Sequence, residues 1–199
     1  MKKFILIIDN AESNKYFYHK LGEYLKKQKI RFIEVQNVAD LYSMKHLWSK
    51  VSGIILTGSD RMLSEKQFVK DIAKNTTAVQ LIKKPVLGIC YGFQLLNLML
   101  GGEIVNMSKL CDKLLKVKKM VDHPLLEGLP DEFKARCYNK DKITRLSTSF
   151  NLLCRSRFIN QGFYDDVNKY YGLQFHPENN VNTQIILDNF IYKICNYRD

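Results

Sequence analysis

Pro85-Val86-Leu87-Gly88-Ile89-Cys90-Tyr91-Gly92-Phe93-Gln94 reads as an apolar strand that runs into Gly88-x-Cys90-x-Gly92 and then directly into helix-forming residues. A cysteine between two glycines at a strand-to-helix turn is the layout of a nucleophile elbow, with sulfur in place of the more usual hydroxyl. The glycines have a physical reason. A side chain thrust out of so sharp a turn sits on a strained backbone, and its neighbours must be small for the turn to close and for a substrate to reach the sulfur. The helix that follows points its N-terminal amides at that sulfur. Cys90 is therefore a candidate nucleophile, and the chain must supply a base.

The base is found far downstream, in Tyr171-Gly172-Leu173-Gln174-Phe175-His176-Pro177-Glu178. An extended apolar run leads into His176, and Pro177 ends it because proline cannot donate to a sheet ladder. Glu178 follows two residues after the histidine. A cysteine–histidine pair needs a third group to orient the imidazole and stabilise its cation, and a carboxylate does both. His19, His46 and His123 show no such partner pattern and read as solvated or packing residues.

Composition narrows the class. The chain has 199 residues, 46% of them hydrophobic, enough for one domain with a full core and with no evident linker to divide it; residues 1–199 read as a single unit. No apolar run approaches the roughly 20 residues that cross a bilayer. The start, Met1-Lys-Lys-Phe-Ile-Leu-Ile-Ile-Asp9, has a five-residue apolar core that stops at Asp9, so it reads as a first buried strand rather than an export signal. A cytoplasmic location is expected. Five cysteines, odd in number and widely spaced, form no ligand cluster and suggest reduced thiols and no structural metal. The formal net charge of +11 invites nucleic acid as a partner, but lysine outnumbers arginine 24 to 7, and base and phosphate readout leans on arginine's planar fork. No nucleic-acid partner and no membrane are expected. The dense run Lys113 to Lys119 interleaves apolar residues and reads as a half-solvated strand or helix face.

Along the chain, strands are expected at 3–9, 30–35, 53–57 and 85–89. Helices are expected at 13–28 (Phe17, Leu21, Tyr24 and Leu25 inward), through Leu41, Met44, Leu47 and Trp48, near 64–82, and from the elbow to about Leu100, where Gly101-Gly102 stops it. This β-α alternation predicts an α/β fold, an open and mostly parallel sheet with helices on both faces. Ligands of such sheets gather beyond the strands' carboxyl ends, where Asp9, Gly58-Ser59 and Cys90 fall. The second half is smaller and β-rich, with short strands at 103–106, 112–120, 132–137, 150–157 and 170–175. Turn signals, among them Asn139-Lys140-Asp141, separate them. A last helix is expected at about 181–196, with Ile185, Ile186, Phe190, Ile191 and Ile194 inward.

Gly88-Ile-Cys-Tyr-Gly-Phe-Gln94 together with Gly172-Leu-Gln-Phe-His-Pro-Glu178 resembles the class I glutamine amidotransferases, a flavodoxin-like fold, over essentially the whole chain. Within that family the wording of the elbow, Pro124-Leu-Leu-Glu-Gly-Leu-Pro-Asp-Glu-Phe133 and the Asp141-Lys-Ile step are most similar to the glutaminase subunit or domain of GMP synthetase. The resemblance implies hydrolysis of L-glutamine through a γ-glutamyl thioester on Cys90, with His176 and Glu178 completing a triad. It implies an oxyanion site from the Tyr91 amide and the Gly58-Ser59 loop, and Gln94 near the bound glutamine. It also implies ammonia passed to a separate ATP-pyrophosphatase chain for GMP synthesis from XMP, with no cofactor on this chain and ATP and Mg on the partner.

Two departures from the family pattern stand out. Its Gly-Gly-Pro loop is Gly58-Ser59-Asp60 here; a serine forced to positive φ is disfavoured by about 1 kcal/mol or more relative to glycine. Its Ser-His-Gly-Asp turn is Tyr138-Asn139-Lys140-Asp141. Two alternatives follow: an amidotransferase for another acceptor, such as a chorismate-type or other nucleotide precursor, and a catalytically silent amidotransferase-like binding module.

Overall fold

A computed structural model describes residues 2–11, 16–65 and 69–198 of the chain. The first half alternates as expected: β1 (Phe4–Ile8), α1 (Tyr16–Lys27), β2 (Phe32–Val35), α2 (Val38–Ser43), β3 (Val51–Leu56), α3 (Val69–Ile82), β4 (Val86–Ile89) and α4 (Tyr91–Met99). β1, β3 and β4 are buried at every position, which is why they read as unbroken apolar runs. Successive side chains nonetheless feed different cores. Ile5 and Ile7 pack with Leu21 and Leu25 of α1, whereas Leu6 and Ile8 pack with Leu41 of α2, Val79 of α3 and Phe93 of α4. Helices thus cover both faces of this part of the sheet. The Asn37 side chain accepts from Asp40 N–H at 2.9 Å and starts α2, and Gly101, at φ 84°, lets the chain turn away after α4. The side chain of Phe17 lies outside the described residues.

The second half supplies β5 (Glu103–Lys119), β6 (Glu132–Arg145), β7 (Asn151–Ser156), β8 (Ile159–Asp165) and β9 (Tyr170–Leu173). All nine strands join in the order β2-β1-β3-β4-β9-β8-β7-β5-β6. Pairings from β2 through to β9 are parallel, and those from β9 to β6 are antiparallel. The last strand therefore slots beside β4 in the middle of the sheet, so the segments after the two strands emerge at one edge. Gly88 stands opposite Gly172 in that pairing. A side chain at Gly172 would strike the rings of Phe93 and Phe163, which stack at 4.9 Å.

Several sequence expectations need correction. The runs at 103–106 and 112–120 are one strand, β5, because residues between Asn106 and Cys111 form a bulge with Ser108 at φ 64°. Bulges preserve a strand while breaking its alternation. Asn139-Lys140-Asp141 is not a turn; it lies inside β6, with Asn139 opposite Cys111 and Asp141 opposite Asn106. β8 was not expected, since Ile159-Asn160-Gln161-Gly162 carries polar residues and glycine where alternation was sought, and Gln161 is buried all the same. The final helix is shorter and wider than its pattern implies: α5 (Ile185–Asp188) passes into a π-helical turn, Asn189–Ile194. Ile186, Phe190 and Ile191 are buried there; Ile185 and Ile194 are only partly so. The helix at 38–48 splits likewise, with a 3-10 turn over Lys45–Lys50 after α2.

Gly92 marks the tightest crossing of the fold. A Cβ there would meet the main chain of Leu56 and lie 2.7 Å from its Cβ. Gly92→Ala is accordingly expected to destabilise the protein by about 3 kcal/mol or more through overpacking against backbone. Urea titration would show a midpoint shift of that size, whereas Gly101→Ala, where nothing stands within 4 Å, should cost only about 1 kcal/mol of backbone strain.

Candidate active site

Cys90 sits at φ 52° and ψ −101° between β4 and α4, a conformation that an L-residue holds only when its surroundings enforce it. Two main-chain bonds do so. Cys90 N–H donates to Leu173 O of β9 at 2.8 Å, and Gly92 N–H donates to Thr57 O at 3.1 Å. The turn is thus pinned to β9 on one side of β4 and to the residue just after β3 on the other.

His176 follows β9, and its N–H donates to Arg136 O of β6 at 2.9 Å. Its ring is only 1% exposed. Nδ1 lies 2.7 Å from Glu178 Oε1, and Glu178, on the 3-10 turn Pro177–Asn179, is itself buried. That turn is held from behind by Thr183 and Gln184, whose side chains donate to Pro177 O and Glu178 O. Burial alone would drive the imidazolium to lose its proton. The Glu178 carboxylate and the Cys90 sulfur outweigh burial and push the His176 pKa up to about 10. Gly58 closes the group: a Cβ there would lie 2.9 Å from His176 Cε1 and 3.6 Å from Cys90 Cβ. Cysteine, imidazole and loop meet at a point with no room for a side chain, so the Gly58 position must be glycine.

In front of Cys90 opens a cavity of about 250 Å³, walled by Ser59 and Arg61 of the loop, Tyr91 and Gln94 of α4, and Tyr138 to Asp141 of β6. This size suits an amino acid rather than a nucleotide. Among the described residues nothing accepts a hydrogen bond from the Ser59 N–H, and Ser59 is not at positive φ. The strain considered for serine in place of glycine is therefore not incurred. A thiol beside a carboxylate-supported imidazole, in a small pocket with loop amides at its rim, can attack an acyl carbon and hold the resulting oxyanion.

The family model for glutamine amidotransferase class-I matches residues 6–194. The chain belongs to that family. A relative from Methanocaldococcus jannaschii, named as a subunit of glutamine-hydrolyzing GMP synthase, is 31% identical over 198 residues, 98% of each chain. A glutamine-hydrolyzing GMP synthase of Thermomicrobium roseum is 35% identical over 159 residues, 78% of this chain but only 29% of its own length. Among solved structures, a Thermoplasma acidophilum protein described provisionally as a GMP synthase subunit superposes with TM-score 0.80 at 26% identity, over 98% of this chain and 95% of the other. A Thermotoga maritima glutamine amidotransferase gives TM-score 0.70 at 21% identity, over 97% and 83%, a likeness of fold.

The residues singled out in this amidotransferase's sequence reach the site unequally. Cys90, His176, Glu178, Gly58, Ser59, Tyr91 and Gln94 gather there. Gln94 lines the cavity, but its side-chain amide donates inward, to Asp141 O and Gln174 Oε1, both at 2.9 Å. Asp141 turns its carboxylate to Ser64 and Asn106, which anchors β6 rather than presenting charge to the cavity. Asp9 is buried at the end of β1 and caps the following loop through Ala11 N–H; it does not line the cavity. His123 packs between Tyr164 and Tyr171 and meets Asp166 at 3.1 Å, a packing role with a partner the sequence did not suggest.

Four residues were missed: Gln174, Asp71, Arg61 and Lys74. Gln174 donates to Cys90 Sγ at 3.8 Å, and it sits within the very motif that identified His176. Asp71 receives the Tyr91 hydroxyl at 2.7 Å and the Arg61 guanidinium at 2.5 Å, with Lys74 at 3.7 Å. Arg61 also donates to Asn10 O at 3.1 Å and lies over the Tyr91 ring. One buried carboxylate thus ties the loop after Ser59 to the first residue of α4. A lone acidic residue in an amphipathic helix carries no sequence signal for this, because its partners come from separate segments. Burial pulls the Lys74 pKa down against the attraction of Asp71 and Asp9.

Two outcomes are expected. Asp71→Ala leaves Arg61 and Lys74 without their shared carboxylate and should destabilise the protein by about 3 kcal/mol, measured by urea unfolding. For His176 the folded-state pKa is raised, so its stabilising contribution is complete below the ordinary value near 6.5 and fades as pH climbs toward about 10. The stability difference between wild type and His176→Gln should therefore shrink between pH 7 and 10, and an unchanging difference would contradict the raised pKa.

Proposed function

We propose that this amidotransferase is the glutamine-hydrolysing component of a two-chain GMP synthetase, residues 1–199 acting as one glutaminase unit. Cys90, His176 and Glu178 form its triad. The observation that carries the triad is the burial of His176 between Glu178 and the Cys90 sulfur at the foot of an amino-acid-sized cavity. The Cys90 thiolate attacks the side-chain amide carbon of L-glutamine. The oxyanion is held by the main-chain amides of Tyr91 and Ser59. His176 gives its proton to the departing ammonia, which leaves a γ-glutamyl thioester. It then takes a proton from water, and the resulting hydroxide attack releases glutamate and regenerates the Cys90 thiolate beside a protonated His176. Glu178 keeps the imidazole oriented and its cation stable throughout.

Support for GMP as the product comes from the Methanocaldococcus jannaschii relative, which this chain matches end to end. The chain spans less than a third of the Thermomicrobium roseum synthase, so the ammonia acceptor is proposed to be a separate ATP-pyrophosphatase chain. ATP, Mg and XMP belong to that chain. Among the described residues no cluster of side chains could hold a metal ion, and no helix is long and apolar enough to cross a membrane.

Purified protein should release glutamate and ammonia from glutamine, more rapidly with the synthetase chain present. Cys90→Ser should lower that rate by about 1,000-fold or more and prevent covalent labelling by a glutamine-analogue diazoketone. Wild-type protein that stays unlabelled, alone and with the synthetase chain, would refute the triad. Ammonia transfer to a chorismate enzyme, but not to an XMP-dependent one, would refute the acceptor.

A further inference from the structure

Beyond the bulge the hairpin of β5 and β6 projects an unusually bare surface. Alternate residues of β5 turn inward, with Val117 fully buried, while Asp112, Leu114, Lys116 and Lys118 are all exposed. A groove of about 1,050 Å³ runs along this surface to the β7–β8 turn. Three observations give it a direction. First, Leu110 lines both the groove and the cavity before Cys90, so the groove begins at the mouth of the active site. Second, its charge is one-sided. Asp112 and Glu132 are already paired with Arg136 and Lys116. Lys109, Lys113, Lys118, Arg155 and Arg157 have no carboxylate within ion-pair distance among the described residues. Third, large apolar side chains stand in solvent on it or next to it: Leu114, on its wall, is 54% exposed, and Phe158, in the β7–β8 turn between the lining residues Arg157 and Ile159, 96%. An aromatic held out beside arginine is the composition of an interface anchor.

We propose that this groove docks an acidic face of the ammonia-accepting chain, an inference that rests on the two-chain reading above. Ammonia freed at Cys90 is small and diffusible, so its acceptor must cover the cavity mouth, whose rim includes Leu110. A chain seated there continues onto the adjoining groove. Its carboxylates meet the five cations that hold no close ion pair, and its apolar residues cover Leu114 and Phe158. Charge complementarity of this kind governs encounter rate and salt sensitivity.

The test compares wild type with a Leu114→Asp/Lys118→Glu variant and an Arg157→Glu/Phe158→Ala variant, each mixed with the ATP-pyrophosphatase chain of the same organism. All four positions are exposed and lie outside the triad and the cavity, so thermal melting and diazoketone labelling of Cys90 should match wild type. Association with the synthetase chain should weaken by about tenfold or more in each variant. Glutamine-driven GMP formation should fall in parallel, while the synthetase chain supplied with free ammonia should be unaffected. Wild-type association should weaken as salt rises. Variants that bind and transfer ammonia as wild type does would overturn the proposal. So would variants whose only defect is loss of self-association or of RNA retention. If wild type forms no complex and no GMP, the two-chain reading itself fails and this surface assignment falls with it; if wild type succeeds and the variants do too, only the surface assignment falls.

Discussion

Everything in this protein hangs on how closely α4 can approach the end of β3. The Gly92 position leaves no space between the helix start and the Leu56 main chain, and a Cβ at Gly88 would stand 2.6 Å from Gly92 O. With two glycines back to back, the chain leaves β4, turns through the positive φ of Cys90 and re-enters as a helix within a single residue. Any looser turn would carry the sulfur away from the edge where β9 ends. Backbone strain at Cys90 is thus the local expression of a global fit, borne by bonds to Leu173 of β9 and to Thr57 just after β3.

Around that turn stand two buried polar systems with different tasks. On the β9 side, His176 and Glu178 form a short, water-excluded pair whose electrostatics favour a charged imidazole. On the β3 side, Asp71 gathers Arg61, Tyr91 and Lys74, and Lys74 extends the set to the Asp9 carbonyl. The first system is the one proposed to carry the proton transfers. The second holds the loop that bears Ser59 against the helix that begins with Tyr91. Buried charges of this sort are costly unless they are matched, which explains why the network is drawn from four separate segments.

How much of this was visible in the sequence follows from the range of each signal. The four parallel strands and their helices were legible because burial on both faces writes an unbroken apolar run, and the elbow was legible because its glycines are dictated locally. His176 and Glu178 were legible through the proline between them. The β-rich half was harder. A bulge at 107–110 hid the continuity of β5, and buried Gln161 disguised β8, since polar residues there are satisfied by partners that no local pattern reveals. Gln174 is the instructive case. It lies in the most informative motif of the chain, but its contacts with Gln94 and Cys90 exist only once β9 has been placed beside β4.

The far wall of the cavity, Tyr138 to Asp141, belongs to a hydrogen-bonded ladder and not to a free loop. Its side chains therefore alternate with the period of the strand, Asn139 and Asp141 buried, Tyr138 and Lys140 less so. Lengthening the hairpin at its remote end, near 120–131, leaves that alternation untouched. One residue gained or lost between the wall and the bulge opposite it would exchange the buried and the outer set in a single step. Small insertions or deletions in β5 and β6 would thus reshape this wall abruptly, where a flexible loop would permit gradual adjustment.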